Sequence, residues 1–179
     1  MASEFLDLIA EKVVVYDGAT GTWLQTQNLT ADDYGGEALE GCTDLLGVTR
    51  PDVIRALHSA YFEVGADVVE TNTFGAFGVP LGEYDLAHRS HEIAKANAVL
   101  AREVADSYST PGHRRFVAGS LGPGTKAPSL DQIGFATLRD HSQVAAEALL
   151  EGGVDLFGVG QVGVQCLLRN AAQVGGFRR

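Results

Sequence analysis

Residues 63–71 read EVGADVVET and residues 151–159 read EGGVDLFGV, and these two stretches share one plan. In each, an acidic residue is followed by glycine, and an aspartate then leads into a short apolar run. A glycine directly after a helix commonly provides its left-handed C-cap, and a short apolar run bounded by such a signal is typical of a buried strand. The repeated plan therefore predicts two units in which a helix ends and a strand begins.

The rest of the sequence extends this plan to four strands that alternate with helices. We predict strands near residues 12–16, 67–70, 115–120 and 154–159. One helix is predicted to start at Thr49, because Thr49 and Asp52 resemble a capping box and Pro51 lies in the first turn. Residues 28–48 are polar and glycine-rich, which favours a long loop. Such alternation indicates parallel strands, in either an open doubly wound sheet or part of a (β/α)8 barrel.

Composition and charge restrict the possible partners. The chain has 179 residues and a formal net charge of −10 at pH 7. Phosphate-binding surfaces need clustered lysine and arginine, so we expect no nucleic-acid partner and no membrane partner. No apolar run approaches the roughly 20 residues that span a bilayer, and the acidic start is unlike a secretory signal. We therefore expect one cytoplasmic domain over residues 1–179.

Polar loops follow each predicted strand, at the end where parallel α/β folds carry their chemistry. These loops read DGATGT (17–22), ETNTFGA (70–76), GSLGPGT (119–125) and GQVG (160–163). Backbone N–H groups and short hydroxyls in such turns suit a carboxylate, while Asp17 and Glu70 suit an ammonium group. Together they favour a zwitterion such as an amino acid, although each loop alone also fits ordinary strand-to-helix turn chemistry.

Four stretches resemble the homocysteine S-methyltransferase family, in the form of the homocysteine-binding module of cobalamin-dependent methionine synthase. They are DGATGTWLQ, EGCTDLLGVTRPDVIRALHSAYFEVGADVVETNTFGA, FVAGSLGPGTKAPSL and LLEGGVDLF. The resemblance runs from about Val13 to Phe157 and implies a barrel rather than an open sheet. It also implies that homocysteine binds at the top of the barrel. The implied substrate-binding residues are Asp17, Gly18, Thr71, Asn72 and Ser120.

The resemblance further implies a mechanism and two cofactors. In the family, zinc held by three cysteine thiolates binds the homocysteine sulfur as a thiolate, which takes a methyl group from methyl-cobalamin in the synthases. Those cysteines lie in the later half of the family's barrel, and Cys42 and Cys166 do not match their positions. We therefore expect the first half of a (β/α)8 barrel, about four β-α units, without zinc ligands and without catalytic residues of its own.

Two interpretations of such a half barrel stay open at this point. It is either an inactive fragment of a methyltransferase, or a module that completes itself by pairing through its open barrel edges with another copy or with a second polypeptide. Residues 160–179 are atypical for the family, in which a Glu-Thr pair occupies the place of Gly160 and Gln161. A shifted reading frame in the gene of a longer enzyme would explain this segment.

The same segment completes a G-x-G-x-x-G series from Gly158, Gly160 and Gly163, which suggests dinucleotide binding as a further alternative. A true fingerprint needs an acidic residue about 20 positions later to bind the ribose. No acidic residue follows Gly163, and no second strand fits there, so we consider this alternative the weakest.

Overall fold

The computed structural model describes residues 4–159, and all structural statements below concern this part of the chain. Its strands are β1 (Val68–Glu70), β2 (Phe116–Leu121) and β3 (Leu156–Val159). Its helices are α1 (Glu4–Glu11), α2 (Thr20–Gln25), α3 (Ala31–Tyr34), α4 (Leu46–Thr49), α5 (Pro51–Glu63), α6 (Gly78–Leu81), α7 (Ser90–Tyr108) and α8 (Phe135–Glu151). Short 3-10 turns lie at Glu37–Leu39, Thr43–Leu45, Gly82–Tyr84, Ala87–Arg89 and Pro128–Leu130.

The three strands form one parallel sheet in the order β1-β2-β3. Val68 pairs with Phe116, and Ala118 pairs with Leu156. Helix α7 connects β1 to β2 and helix α8 connects β2 to β3, as expected for parallel strands that are adjacent in the chain. The predicted alternation of strands and helices is therefore confirmed for these three strands.

The predicted first strand, residues 12–16, is only partly formed. This segment lies beside β1, where Tyr16 makes a single parallel bridge to Val68. The backbone N–H of Asp67 donates to the Val15 carbonyl at 2.7 Å. The Val15 N–H, however, donates to the Asp67 side chain at 3.0 Å. Val13 and Val15 are largely exposed, so little side-chain packing supports a ladder here, and only the single bridge forms within residues 12–16.

The two repeated stretches adopt the same structure. Gly65 and Gly153 have positive φ angles of 103° and 91°, which glycine adopts without the steric cost of a Cβ. After each helix the chain makes a Schellman-type pair of hydrogen bonds, for which the donors are Gly65 and Ala66 after α5 and the corresponding residues after α8.

The aspartates of the two stretches also correspond. Asp155 accepts the Val117 N–H at 2.9 Å, as Asp67 accepts that of Val15.

The start of α5 differs from its prediction. The helix begins at Pro51, and its N-cap is Arg50, which makes no capping bond with its side chain. The Thr49 hydroxyl donates to the Leu45 carbonyl at 3.3 Å, and Asp52 pairs with Arg50. The predicted capping box of Thr49 and Asp52 is therefore wrong, because both side chains have other partners.

The prediction of a long loop over residues 28–48 is also wrong. This stretch contains α3, the start of α4 and two 3-10 turns. Apolar side chains within it are buried in the main core, namely Cys42, Leu45 and Leu46. Burial of these side chains outweighs the polar, glycine-rich composition that suggested an irregular loop.

The two faces of the sheet are covered differently. Helices α5, α7 and α8 lie side by side, with α7 in the middle, and pack on the face that carries Val69, Val117 and Phe157. The opposite face carries Val68, Phe116, Ala118 and Leu156, where Phe5 of α1 packs edge-on against Phe116 at 5.2 Å between ring centroids. Crossover helices on one face only are typical of barrel winding rather than of a doubly wound sheet.

No helix within residues 4–159 has the length and apolar character required to cross a bilayer.

Candidate functional site

Three polar side chains lie next to one another at the carboxyl edge of the sheet. The Glu70 N–H donates to Asp17 Oδ2 at 2.9 Å, and the Ser120 hydroxyl donates to Glu70 Oε2 at 3.1 Å. Asp17, Glu70 and Ser120, hereafter the polar row, therefore connect the first loop with the ends of β1 and β2. A Cβ on Gly158 of β3 would lie 3.1 Å from Glu70 Oε1, so glycine leaves room for the carboxylate there.

The alternation of side chains along the strands explains this arrangement. Glu70 and Ser120 point to the same face as Val68 and Ala118, two residues earlier in their strands. The polar row thus lies on the same face of the sheet as the apolar side chains that Phe5 covers, but nearer to the carboxyl ends of the strands. The sheet therefore presents an apolar floor and a polar rim, which is a common arrangement for a small-molecule site.

The polar row contains two carboxyl groups close together, an arrangement that suits a positively charged group. Burial raises the pKa of Asp17 to about 7, the hydrogen bond from the Glu70 backbone opposes this shift, and the Glu70 carboxylate adds to it. Near neutral pH, Asp17 is therefore partly protonated in the unliganded protein. An ammonium group between the two carboxylates would stabilise the ionised form of Asp17.

The other predicted substrate residues lie in the same loops, and the side chains of Thr71 and Asn72 already have partners. Thr71 Oγ1 accepts the Ser120 N–H at 2.9 Å, and Asn72 Nδ2 donates to the Thr43 carbonyl at 2.7 Å. Gly18 is exposed, and a Cβ there would lie 3.2 Å from the Tyr61 hydroxyl. Direct substrate contacts by Gly18, Thr71 and Asn72 stay a prediction.

Sequence reasoning identified Glu70 as a source of charge but did not include it in the substrate site. The strand alternation of residues 68–70 could have placed it on the same face as Val68 and next to Asp17. Asp44 was missed altogether. It accepts a hydrogen bond from the Gly75 N–H, and no local pattern in its own segment indicates this contact.

Part of the glycine series lies outside the described residues. Gly158 belongs to β3, whereas Gly160, Gln161, Gly163 and Cys166 fall beyond residue 159. The dinucleotide alternative therefore gains no support from the described geometry.

The described residues do not fit the zinc site that the family resemblance implies. Within residues 4–159 there is no group of three histidine, cysteine or acidic side chains that could hold a metal ion. Cys42 is buried, and burial together with the Asp44 charge raises its thiol pKa to about 11. A thiol that stays protonated at neutral pH is a poor zinc ligand. The same part of the chain shows no feature that identifies a site for methyl-cobalamin.

Solved structures similar to this one include the homocysteine methyltransferase MmuM from Escherichia coli. Its metallated form has a TM-score of 0.68 at 22% sequence identity, over 86% of this chain and 55% of that chain. Its oxidized form has a TM-score of 0.66 at 22% identity, over 84% of this chain and 53% of that chain. At this identity the similarity concerns the fold alone. This chain spans about half the length of those structures.

Sequence comparisons are more specific. The methionine synthases of Mycobacterium leprae (strain TN) and Mycobacterium tuberculosis (strain ATCC 25618 / H37Rv) are each 46% identical to this chain over 177 residues. That alignment covers 99% of this chain but only 14% of each relative. The family model described as homocysteine S-methyltransferase matches residues 14–165. A family match over most of the chain shows that it belongs to the homocysteine S-methyltransferase family.

Proposed function

We propose that this chain binds homocysteine for a methyl transfer to its thiol, as part of a methionine synthase-like enzyme of methionine biosynthesis. The observation that carries the proposal is the polar row of Asp17, Glu70 and Ser120 at the carboxyl edge of the sheet. Family membership supports homocysteine as the substrate. The α-amino group would lie between Asp17 and Glu70, and the carboxylate would meet backbone N–H groups near Gly18.

The wider architecture is proposed on the same basis. The chain forms the first half of a (β/α)8 barrel as a single domain over residues 1–179, with residues 160–179 as an atypical segment. One-sided crossover helices and the coverage of 53% and 55% of the MmuM structures support this arrangement. Thr71 and Asn72 would help to shape the opening of the substrate site, because they lie in the loop that follows β1. A cytoplasmic location stays a prediction, and so does the lack of nucleic-acid and membrane partners, which rests on the net charge.

The proposed substrate is tested by isothermal titration calorimetry with L-homocysteine, kept reduced, at pH 7.5. We expect weak, saturable binding, and no binding of NAD under the same conditions. L-homoserine, which keeps the amino and carboxyl groups but lacks the thiol, should bind with similar affinity, because the polar row recognises the amino-acid end. Absence of homocysteine binding, or saturable binding of NAD, would contradict the proposal.

The 179-residue polypeptide on its own is expected to form no methionine above the uncatalysed rate. A free thiol has a pKa of about 8.5, so only a few per cent of homocysteine is the nucleophilic thiolate at pH 7. Residues 4–159 contain no group of three histidine, cysteine or acidic side chains that could bind a metal and raise this fraction. The measurement is metal analysis of the purified protein with an assay of methionine from homocysteine and methyl-cobalamin. Stoichiometric zinc and steady methionine formation would show that this expectation is wrong.

A specific observation also supports the second interpretation, self-association. The segment beside β1 exposes Val13 and Val15, which are 86% and 52% accessible to solvent. Exposed apolar side chains on a sheet edge favour pairing with another chain. We therefore expect light scattering after gel filtration to show a dimer that weakens when Val13 and Val15 are both replaced by lysine. A monomer at every protein concentration would contradict this second proposal.

A further inference from the structure

The loop that follows β1, residues 71–76, is held in place from one side by a neighbouring turn. The Gly75 N–H donates to Asp44 Oδ1 at 2.9 Å, and Asn72 Nδ2 donates to the Thr43 carbonyl at 2.7 Å. Both acceptors belong to the 3-10 turn Thr43–Leu45. A Cβ on Gly75 would lie 2.8 Å from Asp44 Oδ2, so the backbone approaches the carboxylate too closely for a larger residue.

The 3-10 turn Thr43–Leu45 is itself fixed to helix α7. Asn97 is fully buried on α7, and its amide nitrogen donates to the Asp44 carbonyl at 2.9 Å and to the Ile93 carbonyl at 3.0 Å. Gly47 packs against the Asn97 side chain with no space for a Cβ. The Asp44 carboxylate is therefore attached to a rigid part of the fold.

On its other side the same loop contacts the polar row and the loop after β2. The Thr73 hydroxyl donates to the Ser120 carbonyl at 2.8 Å, and the Phe74 carbonyl accepts the Gly122 N–H at 3.0 Å. The residue directly before the loop is Glu70, whose N–H meets Asp17. A shift of residues 71–76 would therefore move Glu70 and Ser120 relative to each other.

The negative charge of Asp44 strengthens its hydrogen bond with the Gly75 N–H. Among residues 4–159, no lysine, arginine or histidine lies within ion-pair distance of it. Burial raises its pKa to about 6, and the Gly75 N–H opposes this shift. Asp44 is thus mostly ionised at pH 7.5, and an N–H bond to a carboxylate is stronger than one to a neutral acceptor.

We propose that Asp44 is a positioning residue, which holds residues 71–76 so that Glu70 and Ser120 keep the spacing needed to bind the amino-acid end of the substrate. It does not touch the substrate. The effect on binding rests on the proposed function of the polar row, whereas the contact with Gly75 does not.

The test compares Asp44→Ala with Asp44→Asn in the full chain, and Asp7→Ala, an exposed aspartate on α1, is the control. Asparagine keeps an acceptor for the Gly75 N–H and alanine removes it. Calorimetry at pH 7.5 should show about tenfold weaker homocysteine binding for Asp44→Ala, affinity within about threefold of the unmodified protein for Asp44→Asn, and no change for Asp7→Ala. Rescue by asparagine separates positioning from a general loss of stability.

Amide hydrogen exchange without ligand provides the second readout. Exchange at Gly75 should be at least tenfold faster in Asp44→Ala, while amides in the middle of α7 keep their protection. If the unmodified protein does not bind homocysteine, the proposed function fails, and this exchange result still tests the contact. The inference is overturned if Asp44→Ala binds homocysteine like the unmodified protein, if Asp44→Asn binds as weakly as Asp44→Ala, or if Gly75 exchange does not change.

Discussion

Replacing Asp17 by asparagine is expected to weaken homocysteine binding at least about tenfold and, at the same time, to stabilise the fold at pH 8. The loss of affinity follows because a hydrogen bond to a charged partner contributes about 1.5–3 kcal/mol, and asparagine offers the substrate ammonium no charge. The amide oxygen of asparagine can still accept the Glu70 N–H, so the local geometry is kept.

The gain in stability follows from the raised pKa of Asp17. Burial moves this pKa from 3.8 to about 7 in the folded protein, so the folded state binds the proton more tightly than the unfolded state. Ionised Asp17 therefore destabilises the fold, and this cost grows as the pH rises from about 4 to about 7 and is constant above. Because Asp17 keeps some contact with water, we expect asparagine to recover on the order of 2 kcal/mol at pH 8 and almost nothing at pH 4.

The two effects are separated by calorimetry and by urea unfolding at both pH values. In the unmodified protein, affinity for homocysteine should also fall below pH 7, because Asp17 must lose its proton to meet the ammonium group. This pH dependence should disappear in Asp17→Asn. Asp7→Asn, on the exposed surface of α1, is the matched control and should change neither quantity. An unchanged affinity in Asp17→Asn would remove Asp17 from the site.

Replacing Gly152 by alanine is expected to lower the free energy of unfolding by about 3 kcal/mol, at the upper end of the range for an overpacked core. Gly152 lies at the C-terminal end of α8, where this helix crosses α7. A Cβ there would overlap the Ala98 side chain and lie 3.1 Å from the Lys95 carbonyl oxygen. The Lys95 carbonyl belongs to the α7 backbone, so relief requires the two helices to move apart.

Urea unfolding measures this effect, with Gly112→Ala as the control. No atom lies within 4 Å of a Cβ built on Gly112, so that substitution should change stability by less than about 0.5 kcal/mol. A loss below about 1 kcal/mol for Gly152→Ala would show that α7 and α8 separate easily, contrary to the packing described above.

The elements that local patterns predicted correctly are those whose signals lie within a few residues. Gly65 and Gly153 end their helices because each must adopt a positive φ, and the following apolar runs form β1 and β3. A β-branched run that ends in a turn signal predicts a strand over residues 12–16. In the structure Val13 and Val15 stay largely exposed, and the Val15 N–H donates to the Asp67 carboxylate, a partner 52 residues away that no local pattern indicates.

In the candidate site, too, local signals predict some residues, whereas a contact between residues far apart in the sequence is missed. A polar loop at a strand end predicts Asp17 and the family resemblance implies Ser120, and the structure brings both next to Glu70. The hydrogen bond between Gly75 and Asp44 joins residues 31 positions apart, and no periodic pattern in the sequence indicates it. Such a contact depends on how α7 and the Thr43–Leu45 turn pack, which a sequence pattern does not contain. The long-loop prediction for residues 28–48 failed for a related reason, because core burial decided the structure of a glycine-rich segment.

Homocysteine is expected to bind at the polar row on the carboxyl edge of the sheet. The most direct test is a titration of the ¹⁵N-labelled full chain with reduced L-homocysteine, followed by two-dimensional NMR. We expect saturable shifts centred on the backbone amides of Gly18, Glu70 and Ser120, with none around His113 at the opposite end of the sheet. Shifts centred near His113, or no shift at saturating homocysteine, would contradict this expectation.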